Sequence, residues 1–398
     1  MDVGFLTRST SRDAGGIFEV ECALARELSQ RGCSVRAFGA HDGQSNSDAK
    51  SWEPVKPCTF PYYGDNSYRY SPQLKRAFMV ESFEICHLHS LWSFTSSIAS
   101  KWANETGQPL LVSPNGMLDP WALKNSAWKK KLISALIEKK MLSRAACLQA
   151  NTNKDVADYR NFGLTNPIAT IPNGVYVPEL GELPPLQERF CLSERKRVVY
   201  LGRIHRKKGL ANMIHAWSRS RDDAEAYGWQ FVIAGRDEGG HLSELKQICR
   251  EHDLRVGEGL VDEQAEVLFN GPTYGKEKFD LLTQTHLFVL PSFSEGLPMA
   301  VLEAWAHQTP VMMTPECNLG IGFEVGAAVS IAPNPESIQE GLRSVFNRSS
   351  DELSTMGRFG YDLVNSQFVW ASVAQQMHKL YEWMLGGGAC PDFVTLDA

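Results

Sequence analysis

The chain of 398 residues contains no C-x-x-C pair, although it carries nine cysteines. Scattered cysteines in odd number argue against a disulfide framework or a structural zinc site and suit a reducing compartment. There is no basic surplus: 40 Lys and Arg face 46 Asp and Glu, a formal net charge of −6. No nucleic-acid partner is therefore expected. No run of about 18 apolar residues occurs, so no membrane-crossing helix is expected. The opening Asp2-Val3-Gly4-Phe5-Leu6-Thr7 lacks the basic start and longer apolar stretch of a secretory signal. The G-x-G-x-x-G fingerprint of dinucleotide binding is missing, which weighs against a nicotinamide dehydrogenase. What remains is a globular composition, 43% hydrophobic and 22% charged. A cytoplasmic enzyme of two domains, each of about 200 residues, fits these limits.

Short apolar runs alternate with helical patterns along the whole chain. In the first half the strand candidates are Val3–Thr7, Ser34–Ala40, Ile85–His89, Leu110–Ser113, Cys147–Ala150 and Ile168–Ile171. In the second they are Val198–Leu201, Phe231–Ala234, Val267–Asn270, Leu287–Pro291, Pro310–Thr314 and Ala328–Ala332. Between the first two, Glu19–Arg31 has Val20, Ala23, Leu24 and Leu28 at helical spacing, with Gly32 as a stop. Strand, helix, strand repeated this way predicts α/β architecture with parallel sheets covered by helices. The expected organisation is a Rossmann-like domain over 1–177, a proline-bearing linker over 178–192 and a second Rossmann-like domain over 193–369. A helix over 370–385 and a loosely ordered tail over 386–398, marked by Gly386-Gly387-Gly388, complete it. Open α/β sheets bind ligands at the carboxyl ends of their strands.

Four segments carry candidate chemistry. Ser9-Thr10-Ser11-Arg12-Asp13-Ala14-Gly15-Gly16 follows the first strand, and its paired glycines let a backbone approach a phosphate. A plain tight turn explains it equally well. Gly202-Arg203, followed by Lys208, lies where another strand empties into a turn. Arg offers a planar fork to phosphate oxygens and Lys a mobile point charge; a solvated basic loop is the competing reading. Pro291-Ser292-Phe293-Ser294-Glu295-Gly296-Leu297-Pro298 precedes a helix containing Glu303, eight residues beyond Glu295. Here hydroxyl acceptors and helix N–H donors share a small volume, as a sugar diphosphate requires. Glu303 sits among Val301, Leu302, Ala304 and Trp305, where a carboxylate is costly unless a ligand or partner meets it. The fourth segment is His87-Leu88-His89, with His89 expected to project into the ligand site or to be structural.

Together these segments resemble retaining glycosyltransferases of family four, which have the GT-B fold of two Rossmann-like domains facing across a cleft. Ile171-Pro172-Asn173-Gly174 adds to the likeness. Pro114-Asn115-Gly116-Met117-Leu118-Asp119-Pro120-Trp121-Ala122-Leu123 resembles a subgroup acting in bacterial surface polysaccharide synthesis. The resemblance implies that Arg203 and Lys208 neutralise the donor diphosphate and that Glu303 binds the nucleotide ribose. It implies that Glu295 lies near the transferred sugar and His89 beside the anomeric carbon. It implies that Gly15 and Gly16 close over the phosphates. Gly202 belongs to the Arg203 turn, and Gly271, with Pro272–Lys276 after it, lies where the base is cradled. Backbone N–H groups of Gly296, Leu297, Val301 and Leu302 would meet sugar hydroxyls and phosphate around Pro298. Asn115 and Met117 fall on the acceptor side, and the helix after Trp370 returns to the first domain.

The donor implied is a UDP- or GDP-linked sugar and the acceptor a saccharide or lipid-linked saccharide, as in exopolysaccharide, O-antigen or capsule synthesis. No Asp-x-Asp occurs, so no metal and no other cofactor is expected, and Arg203, Lys208 and helix N-termini would stabilise the leaving diphosphate. Lys124–Arg144 is a basic amphipathic pattern. It reads either as a peripheral contact on the inner face of the cytoplasmic membrane or as a helix packed on the first domain. A nucleotide-sugar epimerase of the same fold would need further acid–base groups around the sugar, and a phosphorylase a pyridoxal-phosphate lysine that no motif identifies. A non-catalytic sugar-nucleotide-binding protein would not need Arg203, Lys208, Glu295 and Glu303 intact.

Overall fold

Apolar runs such as Val3–Leu6 and Leu287–Leu290 have no polar face, so they are stable only where both faces are covered. The computed structural model describes residues 1–120, 138–179, 181–184, 186–189 and 195–396, and there these runs are the middle layers of two α/β units. One unit is Met1–Gly174 together with Trp370–Ala398; the other is Val175–Val369. The division falls at Gly174, three residues before the expected 177, and the proline-bearing stretch goes with the second unit.

The first unit contains β1 (Asp2–Ser9), β2 (Ser34–Ala40), β3 (Cys58–Phe60), β4 (Ile85–Leu88), β5 (Leu110–Val112), β6 (Cys147–Ala150) and β7 (Ile168–Thr170). These run parallel in the order β7-β6-β5-β4-β1-β2-β3. Successive side chains of β1 feed two cores. Val3 and Phe5 join Leu24 and Leu28 of the helix Gly16–Gln30, while Leu6 joins Phe78, Ile98 and Trp102 on the opposite face. Trp370, Val373, Met377 and Tyr381 of the helix Trp370–Met384 complete the first of these cores.

The second unit contains β8 (Lys196–Leu201), β9 (Trp229–Ala234), β10 (Val256–Glu258), β11 (Val267–Gly271), β12 (Leu287–Leu290), β13 (Val311–Met313) and β14 (Ala328–Ser330). Its parallel order is β10-β11-β9-β8-β12-β13-β14. In both sheets the strand order reverses beside the first strand, between β1 and β4 and between β8 and β12. Such switch points open a crevice at the carboxyl strand ends.

The tail differs from expectation. After the glycines the chain forms β15 (Val394–Thr395), which pairs antiparallel with β7, Val394 opposite Ala169. The Thr170 N–H donates to the Phe393 carbonyl at 2.9 Å, and Val394 is buried. A sheet edge is satisfied by this pairing. Of the basic segment 124–144, residues 124–137 lie outside the described residues. No helix among the described residues is long and apolar enough to cross a membrane.

Candidate active site

In the second unit the exits of β8 and β12 converge. β8 ends at Leu201, and the chain turns through the single-turn helix Arg206–Lys208 into Gly209. Gly209 has φ +70°, and a Cβ there would lie 2.0 Å from the Pro291 carbonyl oxygen at the end of β12. Only glycine permits this approach. The Phe293 N–H donates to the Lys207 carbonyl at 2.9 Å and ties the two loops together.

That approach brings Lys208 onto Glu295. Lys208 Nζ donates to Glu295 Oε1 at 2.6 Å, and Ser292 Oγ donates to the same oxygen at 2.5 Å. Both charged side chains are largely shielded, so the pair is stronger than a surface pair. The backbone of Glu295 is held as well. Its N–H donates to the Glu316 carbonyl at 3.0 Å, and Asn318 Nδ2 donates to the carbonyls of Glu295 and Gly296 at 2.7 and 3.0 Å. Burial, with Glu295 nearby, holds the Tyr200 phenol well above its usual range. Tyr200 therefore stays protonated and donates to the Arg203 carbonyl at 2.6 Å.

Arg203 and Lys208 do not share a partner. The Arg203 guanidinium is 69% exposed and pairs with Glu238 at 2.7 Å. Behind it the backbone is crowded, because a Cβ on Gly235 would sit 1.7 Å from the Gly202 carbonyl oxygen. Glu303, in the helix Met299–Ala306, meets Lys278 of the helix Gly275–Thr283 at 2.8 Å. That contact answers the cost of a carboxylate beside Val301, Leu302 and Trp305. Gly271 has φ +71° and accepts from the Gly235 N–H at 2.7 Å, and Thr273 beyond it is buried.

Val301 departs from its expected part. Its N–H donates to the Pro298 carbonyl at 3.0 Å, and the side chains of Val301 and Leu302 are fully buried. The N–H groups nearest the helix mouth are instead those of Met299 and Ala300, the first two helical residues.

The first unit holds the other predicted residues. Gly15, at φ +72°, caps the helix that Gly16 begins, and no atom lies within 4 Å of a Cβ built on either glycine. Asp42 pins the preceding loop. Burial opposes its ionisation, but donation from Ser9, from Ser11 at 2.7 Å and from Arg69 brings the carboxyl down to about 2. His89 follows β4 and is 1% exposed, its ring tilted against those of His87 at 3.8 Å and Phe5 at 4.5 Å. It does not reach an open surface. Burial takes its pKa down to about 3, so the ring is neutral, and Nε2 has no hydrogen-bond partner among the described residues. Asn115 Nδ2 donates to the His89 and Ser113 carbonyls at 3.1 Å, and Met117 Sδ accepts from the Leu91 N–H at 3.3 Å. Both brace the His89 loop.

Ser292, Asn318, Lys278 and Glu238 were not among the predicted site residues. Ser292 could have been found, since it stands three residues before Glu295 in the same motif. The others reach their partners across 22 to 35 positions, where spacing carries no signal. Among the described residues no group of three or more His, Cys, Asp or Glu is placed to hold a metal ion.

Comparison with known proteins agrees with this architecture. Residues 15–174 match the glycosyl transferase 4-like domain and residues 195–347 match glycosyl transferases group 1. A relative from Komagataeibacter xylinus, the GDP-mannose:cellobiosyl-diphosphopolyprenol alpha-mannosyltransferase, is 23% identical over 96% of this chain and 93% of its own length. The putative teichuronic acid biosynthesis glycosyltransferase TuaC of Bacillus subtilis is 26% identical over 48% of this chain and 42% of its own. Among solved structures, sucrose-phosphate synthase from Thermosynechococcus elongatus superposes with a TM-score of 0.73 at 15% identity, covering 97% of this chain and 99% of that one. Anabaena HepE in complex with UDP and glucose gives 0.73 at 15% identity, covering 96% and 100%. Two parallel α/β units, a 4-like domain followed by a group 1 domain, and the converging exits of β8 and β12 place the chain in the GT-B glycosyltransferases.

Proposed function

We propose that the protein transfers a hexose-type sugar from a nucleoside-diphosphate donor to a saccharide or lipid-linked saccharide, with retention at the anomeric carbon and without a divalent metal. The observation that carries this reading is the shielded Lys208–Glu295 pair at the strand-order reversal of the second sheet. A phosphate arriving there can take over an ammonium already fixed in place, so little reorganisation is needed as charge builds on the leaving group. Arg203, exposed and paired with an exposed Glu238, can swing its planar fork toward the same diphosphate. Neutral His89, enclosed by Phe5 and His87, would not act as an acid. Retention would proceed without a protein nucleophile, the leaving phosphate accepting the acceptor's proton. UDP and GDP are the favoured donor nucleotides, since HepE is seen with UDP and the Komagataeibacter relative is named for GDP-mannose. A role in surface polysaccharide synthesis, which we place at the cytoplasmic face of the membrane, takes its polysaccharide part from the names of that relative and of TuaC.

A thermal-shift panel of UDP-, GDP-, ADP- and dTDP-sugars tests the reading, with release of free nucleotide followed alongside. The right donor at a hundredfold excess over its Kd stabilises by ~2.7 kcal/mol. A panel in which no nucleotide sugar raises Tm contradicts it.

A further inference from the structure

The loop between β3 and the helix Pro72–Met79 reads Pro61-Tyr62-Tyr63-Gly64-Asp65-Asn66-Ser67-Tyr68-Arg69-Tyr70-Ser71. Tyr63, Tyr68 and Tyr70 are 58%, 44% and 48% exposed. Exposed aromatic rings gathered in one place mark a binding surface more often than chance. This loop is also built to hold them still. The Tyr63 N–H donates to the Tyr70 carbonyl at 2.8 Å, the Arg69 N–H to the Asp65 carbonyl at 2.9 Å and Ser71 Oγ to the Pro61 carbonyl at 2.7 Å.

Two anchors set its place. The Arg69 guanidinium is buried and bonds Asp13 of the glycine loop and Asp42 after β2. Tyr68 and Tyr70 pack edge-on against Phe94, at 5.9 and 4.8 Å, and Phe94 closes the segment that leaves His89. The rings thus stand at the carboxyl end of the first unit's sheet, tethered to the loops that hold Gly15 and His89.

We infer that Tyr63, Tyr68 and Tyr70 form a stacking platform for the acceptor, and that its ligand is a neutral saccharide. The inference rests on the reading of the acceptor as a saccharide. A tyrosine ring gives a rigid apolar face with a polar rim at small entropic cost, which suits the C–H face and flanking hydroxyls of a pyranose. Asp65, Asn66 and Ser67 lie exposed on the same loop: Asn66 Oδ1 accepts from the Tyr62 hydroxyl at 2.9 Å and from Arg69, Ser67 Oγ donates to Asp65, and the Asn66 amide offers its N–H groups to the sugar hydroxyls. Charge argues against a lipid surface. Arg69 is the loop's one cation, and it is buried against two carboxylates, whereas binding to anionic lipid draws on exposed Lys and Arg.

Saturation-transfer NMR with irradiation of the aromatic protons tests this on the full chain, with cellobiose as a neutral disaccharide probe. The variants are the triple Tyr63→Ser/Tyr68→Ser/Tyr70→Ser and the corresponding triple Phe variant, which keeps the rings. Wild type should transfer saturation to the sugar ring protons. The Ser variant should bind about fivefold more weakly or worse, and the Phe variant within about twofold of wild type. UDP and GDP thermal shifts on all three report the fold and the donor site separately. Equal saturation transfer in wild type and the Ser variant, or none in wild type, overturns the platform while leaving the donor reading intact if the nucleotide shifts persist. Loss in the Ser variant of cosedimentation with phosphatidylcholine–phosphatidylglycerol vesicles, with cellobiose binding unchanged, overturns it in favour of a membrane contact. Absence of any nucleotide shift in wild type is instead the failure of the proposed function.

Discussion

Lys208 Nζ lies 2.6 Å from Glu295 Oε1 across 87 positions of sequence, with Ser292 Oγ on the same oxygen. The pair joins the exit of β8 to the exit of β12. If Lys208 passes to the donor diphosphate, Lys208→Ala lowers kcat by about a hundredfold or more, the usual loss for one preorganised donor. The same change leaves a shielded carboxylate without its ammonium and lowers Tm. Glu295→Gln in the same background should restore Tm but not turnover. Steady-state kinetics beside a melting curve separates the two effects. Near-normal kcat in Lys208→Ala contradicts the assignment.

Gly209→Ala tests how the pair is brought together. The new Cβ meets the Pro291 carbonyl at 2.0 Å in a backbone of φ +70°, so the turn must shift. The expected loss exceeds the ~1 kcal/mol of an unfavourable glycine replacement alone. Gly107→Ala is the control: Gly107 shares the left-handed backbone of Gly209, φ +69° and ψ 4° against +70° and 15°, but the space around it is open, so only the backbone cost applies. A Gly209→Ala protein that melts with the Gly107→Ala protein would show that the close approach is unimportant.

Lys278 and Glu303 meet at 2.8 Å. If Glu303 binds the ribose, Lys278 is a positioning residue that aims it. Lys278→Met should raise the donor KM about tenfold, the scale of a hydrogen bond to a charged group, with kcat little changed. Lys278→Arg should recover part of the loss. An unchanged KM in Lys278→Met separates this pair from the donor.

Glu21, on the inner face of the helix Gly16–Gln30, is fully buried, and burial pushes its carboxyl well above the ordinary value of 4.5. The folded state therefore keeps its proton where the unfolded chain releases it. Its stability contribution is complete below about pH 4.5 and is lost as pH rises, by ~1.4 kcal/mol per pH unit until the folded group also ionises. Glu21→Gln removes that dependence. Its Tm should match wild type near pH 4 and exceed it increasingly as pH rises above 5. Melting curves across that range decide it, and a gap that does not widen contradicts the burial argument.

The long parallel strands were legible because burial on both faces leaves an unbroken apolar run, as in Phe231–Ala234 or Leu287–Leu290. Cys58–Phe60 and Val256–Glu258 were not, since short strands at the sheet edges need no such run. Val394–Thr395 was hidden by the glycines before it, and its pairing depends on the free edge of β7. Within the site, the motif pointed to Lys208 and Glu295 as chemical types but not as partners, because the glycine that joins them acts through a contact with Pro291. His89 was legible as the residue at the end of β4. Its burial against Phe5 and His87 is a property of the neighbouring strands.

The central claim is that fixed positive charge, with Lys208 foremost, holds the donor diphosphate without a divalent ion. Titration calorimetry of UDP and GDP in EDTA, on wild type and Lys208→Ala, tests it most directly. The account predicts binding of one nucleotide to wild type in EDTA and about hundredfold weaker binding to Lys208→Ala. Binding that appears only when magnesium is restored, or that is equal in the two proteins, would contradict it.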